Sequence, residues 1–159
     1  MTRVLTWPEI ERALEGVDLV AAMEEAFVAY SEGRAVVPPV GELILEEPRG
    51  EVHIKYGYIK GQPGYVVKIA SGFPGNAARG LPPGQGVMLL FDREDGAPLA
   101  VLLDEGHLTD LRTAAAGAVA AKHLAPPDVQ RIGVLGTGVQ APLQLHHLPA
   151  VPPCRRLPA

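Results

Sequence analysis

Hydrophobic and polar positions in the first 33 residues repeat with helical spacing. Thr6-Trp7-Pro8-Glu9 has the spacing of a capping box, with its proline in a first turn, so a short helix is predicted to start there. Asp18 is placed to cap a second helix whose apolar residues recur every three or four positions, and Gly33 is placed to end it. The two helices are predicted to pack on a sheet.

From Val36 to Asp104 the pattern changes to short extended runs separated by turn residues. This alternation is typical of an antiparallel meander, and five strands are predicted, at residues 42–46, 51–59, 65–70, 87–92 and 98–103. Residues 71–84 form a long loop rich in glycine and proline, and loops of this length are often functional.

The pattern of residues in the last part of the chain predicts a helix, a strand and a glycine turn. Residues 108–124 read as a helix with one face of alanine and glycine, and a buried-type strand is predicted at residues 131–135. Residues 1–125 are therefore predicted to form an α+β domain, with helices packed on a mostly antiparallel sheet. Residues 126–159 are predicted to start a second, α/β domain.

The strand at 131–135 leads into Gly136-x-Gly138-x-x-Ala141. This spacing lets backbone N–H groups at a helix N-terminus approach a dinucleotide pyrophosphate, although a tight packing turn gives the same pattern. The acidic residue that binds the ribose is expected about 20 residues later, at or past residue 159. Pro149 is expected to end any helix that begins near Val139.

Three cations are candidates for binding an anion. Lys68 lies in an otherwise apolar strand, where it is either a carboxylate ligand or proton donor, or an edge-strand lysine that reaches water. Lys55 and His53 share one face of a strand, and this face either lines a cleft or is exposed to solvent. Arg112, early in its helix, is either a carboxylate or phosphate ligand or an ordinary exposed helical arginine, for which Asp110 and Asp128 are the candidate partners.

Composition and charge exclude several classes of partner. With 14 Lys and Arg against 18 Asp and Glu, neither nucleic acid nor an anionic membrane is an expected partner. Cys154 is the only cysteine and the histidines lack metal-ligand spacing, so neither a disulfide nor a metal site is expected and a cytoplasmic location is favoured. No signal peptide or membrane-spanning apolar run is recognised.

The run from Val67 to Ala141 resembles the ornithine cyclodeaminase and mu-crystallin family. The resemblance rests on the order and spacing of Val67-Lys68-Ile69, Asn76, Gly80-Leu81-Pro82, Leu89-Leu90-Phe91-Asp92, Gly96-Ala97-Pro98-Leu99-Ala100, Leu108-Thr109-Asp110-Leu111-Arg112-Thr113-Ala114-Ala115 and Gly136-Thr137-Gly138-Val139-Gln140-Ala141. It implies a substrate-binding, dimerising α+β domain followed by a Rossmann domain that holds NAD or NADP.

The resemblance also implies roles for individual residues. Lys68, the candidate catalytic residue, and Arg112 would hold the substrate carboxylate beside the nicotinamide. The cofactor would be bound by Arg112 and Thr113 together with the glycine turn, represented by Gly136, Gly138, Val139 and Gln140. Family members deaminate, dehydrogenate or reduce small amino or imino acids by hydride transfer to or from the cofactor.

Two departures from the family limit this assignment. The arginine that ornithine cyclodeaminases place before the second strand has no counterpart in residues 37–40. Lys55 stands near the position of their glutamate for the distal amine and would repel the second ammonium of ornithine. The expected substrate therefore lacks a distal cation.

Length is a third departure, since family members are about twice as long. Only the first strand and turn of the Rossmann domain, and no catalytic aspartate, are expected here. The chain alone is expected to be inactive and to bind NAD(P) weakly or not at all.

Three functional hypotheses remain open. The first is an NAD(P)-dependent enzyme acting, in its complete form, on a small amino or imino acid. The second is a non-catalytic, small-ligand-binding module that dimerises through the α+β domain. The third is a mu-crystallin-like binder of cofactor and a small aromatic ligand. The first hypothesis predicts that Lys68 and Arg112 converge on one cleft within residues 1–125.

Overall fold

A computed structural model describes residues 1–151, and the chain divides into two compact units. Unit 1 comprises Met1–Glu15 and Ala29–His107; unit 2 comprises Gly16–Val28 and the chain from Leu108 onward. The assignment of residues 1–125 and 126–159 to separate domains stays a prediction. Cys154 lies outside the described residues.

Unit 1 is built on a seven-stranded sheet. Its strands are β1 (Arg3–Thr6), β2 (Ala35–Val36), β3 (Gly41–Leu45), β4 (Gly50–Ile59), β5 (Gly64–Gly72), β6 (Gly84–Asp92) and β7 (Pro98–Leu103). The order is β1-β7-β6-β5-β4-β2, and β3 also pairs with β4. Only the β1–β7 pair is parallel, which confirms the predicted mostly antiparallel sheet with helices.

Sequence patterning located the long strands but missed the short elements. All five predicted strands are present with bounds shifted by at most a few residues. The missed strands are β1 and β2, and the predicted loop contains a 3-10 helix, Pro74–Arg79. β1 has four residues and pairs with β7, which is distant in sequence, so no local pattern marks it.

The helix caps are those that the sequence predicts. At the start of α1 (Trp7–Leu14), Glu9 Oε2 accepts hydrogen bonds from the Thr6 backbone N–H (2.9 Å) and hydroxyl (2.7 Å), which lower the pKa of Glu9. At the start of α2 (Leu19–Ser31), Asp18 Oδ1 accepts from the Ala21 N–H (2.9 Å). Gly33 follows with a φ of 68°, a left-handed conformation that glycine adopts without strain.

Unit 2 contains α4 (Gln140–His147), the first part of α2 and nearly all of α3 (His107–Leu124), which belongs to this unit from Leu108 onward. The predicted small-residue face of α3 is confirmed, since its alanines pack on α2. The core consists of Val20, Ala115, Ala118, Val119 and Val151. No helix within residues 1–151 is long and apolar enough to cross a membrane.

The strand predicted at residues 131–135 is wrong for this structure. These residues have no regular secondary structure, and Val134 and Leu135 are exposed. An apolar run becomes a strand only when another strand supplies hydrogen-bond partners, and within residues 1–151 none pairs with this segment. The expected end of the following helix before Pro149 is confirmed, because α4 ends at His147.

Glu24 on α2 is joined to α3 by two ion pairs. Its carboxylate lies 2.6 Å from Lys122 Nζ and 2.6 Å from His123 Nε2. The hydrogen bond from Lys122, followed by that from His123, lowers the pKa of Glu24. A carboxyl group whose pKa is lower in the folded than in the unfolded state stabilises the fold at pH values above its unfolded-state pKa. This stabilisation is lost as the pH falls through the folded-state pKa.

We therefore expect the midpoint of thermal unfolding to fall more steeply below about pH 5 in the native sequence than in Glu24→Gln. Circular dichroism melts from neutral pH to pH 3 measure the difference. Glu25→Gln is the matched control, because Glu25 is exposed and forms no ion pair among the described residues. Identical pH profiles for the Glu24→Gln variant and the native chain would contradict this account.

Candidate functional site

Lys55 and Lys68 occupy the centre of one face of the sheet in unit 1. They are directly opposed on β4 and β5, and Lys68 is also opposed by Met88 on β6. Opposed residues of antiparallel strands project from the same face, which we call the lysine face. Since β5 pairs on both sides, the interpretation of Lys68 as an edge-strand lysine is wrong.

The neighbouring row of residues on the lysine face combines a charged end with small side chains. Register places Glu42, His53, Ala70 and Gly86 side by side on β3 to β6. His53 Nδ1 is 3.9 Å from Glu42 Oε1, and its Nε2 is 3.6 Å from Glu51 Oε2. At the other end of the row, Ala70 and Gly86 have small side chains or none. They leave space beside Lys68 that larger residues would occupy.

The charge arrangement of the lysine face suits an anion. Like charges placed directly opposite each other on adjacent strands destabilise a sheet unless a negative group compensates them. Lys55 is exposed and forms no ion pair within residues 1–151, whereas Lys68 is half-buried. Two ammonium groups on one face attract an anion, and a carboxylate bound between them would reduce their mutual repulsion.

Asp104 is a residue of this region that the sequence did not single out. It follows β7 directly and, at 1% exposure, is the only buried charged side chain among the described residues. A Cβ built on Gly86 would lie 3.7 Å from Asp104 Oδ1, so this carboxylate lies at the β6 end of the small-residue row. Its sequence signal is weak, because an aspartate after an apolar strand is common in turns.

The opposite face of the sheet holds a separate, open cavity of about 800 Å³. Ser71 and Gln85 line it, and both project away from the lysine face, since they alternate with Ala70 and Gly86. Arg49 and Arg79 also line this cavity. It contains none of the predicted site residues and does not serve the lysine pair.

The remaining candidates lie in unit 2. Arg112 on α3 is exposed, as the alternative of an ordinary helical arginine expects, and within residues 1–151 it forms no ion pair with Asp110 or Asp128. The Thr113 hydroxyl donates a 2.6 Å hydrogen bond to the Thr109 carbonyl one turn earlier. Convergence of Lys68 with Arg112 stays a prediction.

Two features of the glycine turn, at Gly136 and Gly138, are compatible with phosphate binding, which stays a prediction. Gly136 has a φ of 103°, which side-chain-bearing residues rarely adopt, and a Cβ on Gly138 would meet nothing within 4 Å. Val139 is the N-cap of α4. Gln140 Nε2 donates to the Asp110 carbonyl (3.2 Å), which ties the glycine turn to α3. All six predicted cofactor residues thus belong to unit 2.

No group of three or more His, Cys, Asp or Glu side chains within residues 1–151 is arranged to hold a metal ion.

Comparison with known proteins identifies relatives over nearly the whole chain. The chain is 44% identical over 156 residues to an uncharacterized cyclodeaminase of Sinorhizobium fredii, covering 97% of this chain and 47% of that protein. An archaeal alanine dehydrogenase dimer with bound NAD superimposes with a TM-score of 0.86 at 36% identity, covering 94% of this chain and 45% of that one.

A second solved structure has a bound amino acid as well as a cofactor. Thermococcus litoralis Δ1-pyrroline-2-carboxylate reductase, in complex with NADH and L-proline, superimposes with a TM-score of 0.87 at 33% identity. The superposition covers 95% of this chain and 46% of the reductase. The chain thus spans about half the length of the relatives it matches.

The family model for the ornithine cyclodeaminase/mu-crystallin family matches residues 1–157. This match includes both units, the lysine face and the glycine turn. The chain therefore belongs to the ornithine cyclodeaminase/mu-crystallin family.

Proposed function

We propose that this chain is the carboxylate-binding half of an NAD(P)-dependent enzyme that deaminates, dehydrogenates or reduces a small amino or imino acid. The direct opposition of Lys55 and Lys68 on one sheet face carries the proposal. Relatives with the same fold support it, because one holds NAD and another holds NADH with proline. A carboxylate is the group that all amino and imino acids share.

Lys68 is the residue we assign to the substrate carboxylate. Its half-buried position in the middle of the sheet limits the motion of its ammonium group, so less side-chain entropy is lost on binding than for a fully exposed lysine. Arg112, on α3 of unit 2, is assigned as a second cationic ligand because its guanidinium is exposed and not engaged by any described carboxylate.

The cofactor is NAD or NADP, which supplies hydride transfer when bound. The glycine turn fits a pyrophosphate at one point: Gly136 has the required backbone conformation, and the space around Gly138 is open. We assign Thr113, Val139 and Gln140 to the same cofactor, together with Arg112. Because residues 131–135 pair with no described strand, this fit extends only to the phosphate-binding turn.

The substrate class follows from Lys55. An ammonium group opposite Lys68 repels a second cation on the substrate and accepts a neutral or acidic side chain. We therefore propose small neutral or acidic amino or imino acids, and not ornithine, as substrates.

We propose that the chain forms a homodimer through the α+β domain and is located in the cytoplasm. The related archaeal alanine dehydrogenase is a dimer. On the sheet face opposite the lysine face, Leu43, Ile54 and Tyr56 are exposed, and large apolar side chains grouped in this way favour association with a second copy. The cytoplasmic location is supported by the single cysteine of the sequence.

A chimera tests the proposal. Residues 1–151 replace the matching half of the Thermococcus litoralis reductase, and the remaining half of that NADH-bound protein completes the chain. We expect NAD(P)-dependent turnover of a small neutral or acidic amino or imino acid. Lys68→Met should lower kcat/KM about 100-fold or more, since removing one preorganised charge costs roughly 3 kcal/mol.

Lys60→Met is the matched control for this loss. Lys60 follows β4, and its Nζ donates to the Gly33 carbonyl, away from the lysine pair. A folded chimera in which the Lys68→Met and Lys60→Met variants have equal kcat/KM would refute the carboxylate assignment.

A binding module without catalysis is the second candidate function. It is favoured because residues 131–135, where a dinucleotide fold would have its first strand, pair with no strand within residues 1–151. This candidate predicts carboxylate binding by the lysine face, but no turnover in the chimera.

A further inference from the structure

Asp104 combines full burial with a place beside the lysine face. An ionised carboxylate that is 1% exposed is costly unless a positive group or several hydrogen bonds compensate it. The turn that holds it is tightly constrained: the His107 N–H donates to the Asp104 carbonyl (2.8 Å), and Glu105 and Gly106 both have positive φ. The position of Asp104 is therefore fixed by the backbone.

Strand register brings Lys68 within reach of this carboxylate. Lys68 is opposed by Met88, and Ala70 is opposed by Gly86, so Gly86 is the diagonal neighbour of Lys68 on the same face. Gly86 has no side chain, and its Cβ position lies 3.7 Å from Asp104 Oδ1. A lysine side chain spans a diagonal of about 7 Å between such neighbours.

We propose that Asp104 is a positioning residue whose buried carboxylate is the counter-ion that holds the Lys68 ammonium on the lysine face. One ammonium N–H is directed to Asp104, and the other two remain available for the substrate carboxylate. Gly86 is glycine in this account because a side chain there would occupy the space between the two groups. The link to substrate rests on the proposed function; the pairing itself does not.

Lysine side-chain NMR on the 159-residue chain tests the pairing without substrate. A charge-assisted hydrogen bond slows exchange of ammonium protons with water, so the Lys68 Nζ signal should exchange about tenfold more slowly than that of exposed Lys55. Asp104→Asn should abolish this difference. Asp92→Asn is the matched control: Asp92 ends β6, and its Oδ1 accepts from the Glu94 N–H.

A double-mutant cycle separates pairing from a merely structural role of Asp104. Asp104→Asn should lower the Tm of the native chain. In the Lys68→Met background the same change should raise the Tm, because it removes a buried charge that has lost its counter-ion. An equal loss in both backgrounds would overturn the proposal.

If these variants do not fold, proton exchange at the Lys68 ammonium of the native chain still tests the pairing. A Lys68 signal that exchanges as fast as that of Lys55 would equally overturn the pairing. None of these readouts depends on substrate, so loss of carboxylate binding with the pairing intact would refute the proposed function and leave the role of Asp104 as counter-ion standing.

Discussion

Calorimetric titration of the 159-residue chain with NAD or NADP should show no saturable binding at cofactor concentrations up to about 1 mM. The glycine turn provides only the phosphate end of the contacts that a dinucleotide needs. The preceding residues 131–135 are unpaired and partly exposed, so fixing them costs conformational entropy that phosphate contacts alone do not offset.

The outcome is informative in both directions. Micromolar affinity would show that the turn, Thr113 and Arg112 suffice for binding, and would contradict this account of residues 131–135. Gly136→Ala is the control for any binding observed, since it strains the backbone at a φ of 103° and should weaken only binding that uses the turn.

Lys55→Glu should change the substrate preference of the chimera toward diamino acids. Replacing a cation by an anion opposite Lys68 turns repulsion of a distal ammonium into attraction. Because Lys55 is exposed, water screens the effect, and we expect a change of about tenfold in the ratio of kcat/KM for ornithine to that for alanine. Steady-state kinetics with both amino acids measure this ratio.

Lys60→Glu makes the same change of charge at another lysine of unit 1 and controls for net charge. An unchanged ratio in Lys55→Glu, or an equal change in both variants, would show that Lys55 does not contact the substrate. Efficient turnover of ornithine by the unmodified chimera would contradict the proposed substrate class directly.

Local sequence patterns predicted most of the fold because the elements concerned carry their own signals. The Thr6–Glu9 capping pair, the Asp18 cap and the continuous apolar run of strand β7 are each defined by residues a few positions apart. β1 depends on a partner strand distant in sequence, and residues 131–135 pair with no strand within residues 1–151. A pattern of apolar residues cannot reveal whether such a partner is present.

The candidate site was predicted in part for the same reason. Lys68 stands out as a cation within an apolar run, whereas its opposition to Lys55 depends on how β4 and β5 align. Asp104 could not be singled out, because its burial results from the packing of elements around it. The burial and the partners of a polar side chain depend on tertiary structure, which the local sequence pattern does not show.

NMR titration with a pair of probes of opposite charge shows whether the lysine face binds a carboxylate. Propionate and propylammonium have similar apolar parts and opposite charge. Propionate should cause saturable shifts at the Lys68 Nζ and at the Ala70 and Gly86 amides, with a Kd of about 10 mM, and these shifts should vanish in Lys68→Met. Propylammonium should cause none. Equal shifts from both probes, or propionate shifts that persist in Lys68→Met, would contradict carboxylate binding by Lys68 on the lysine face.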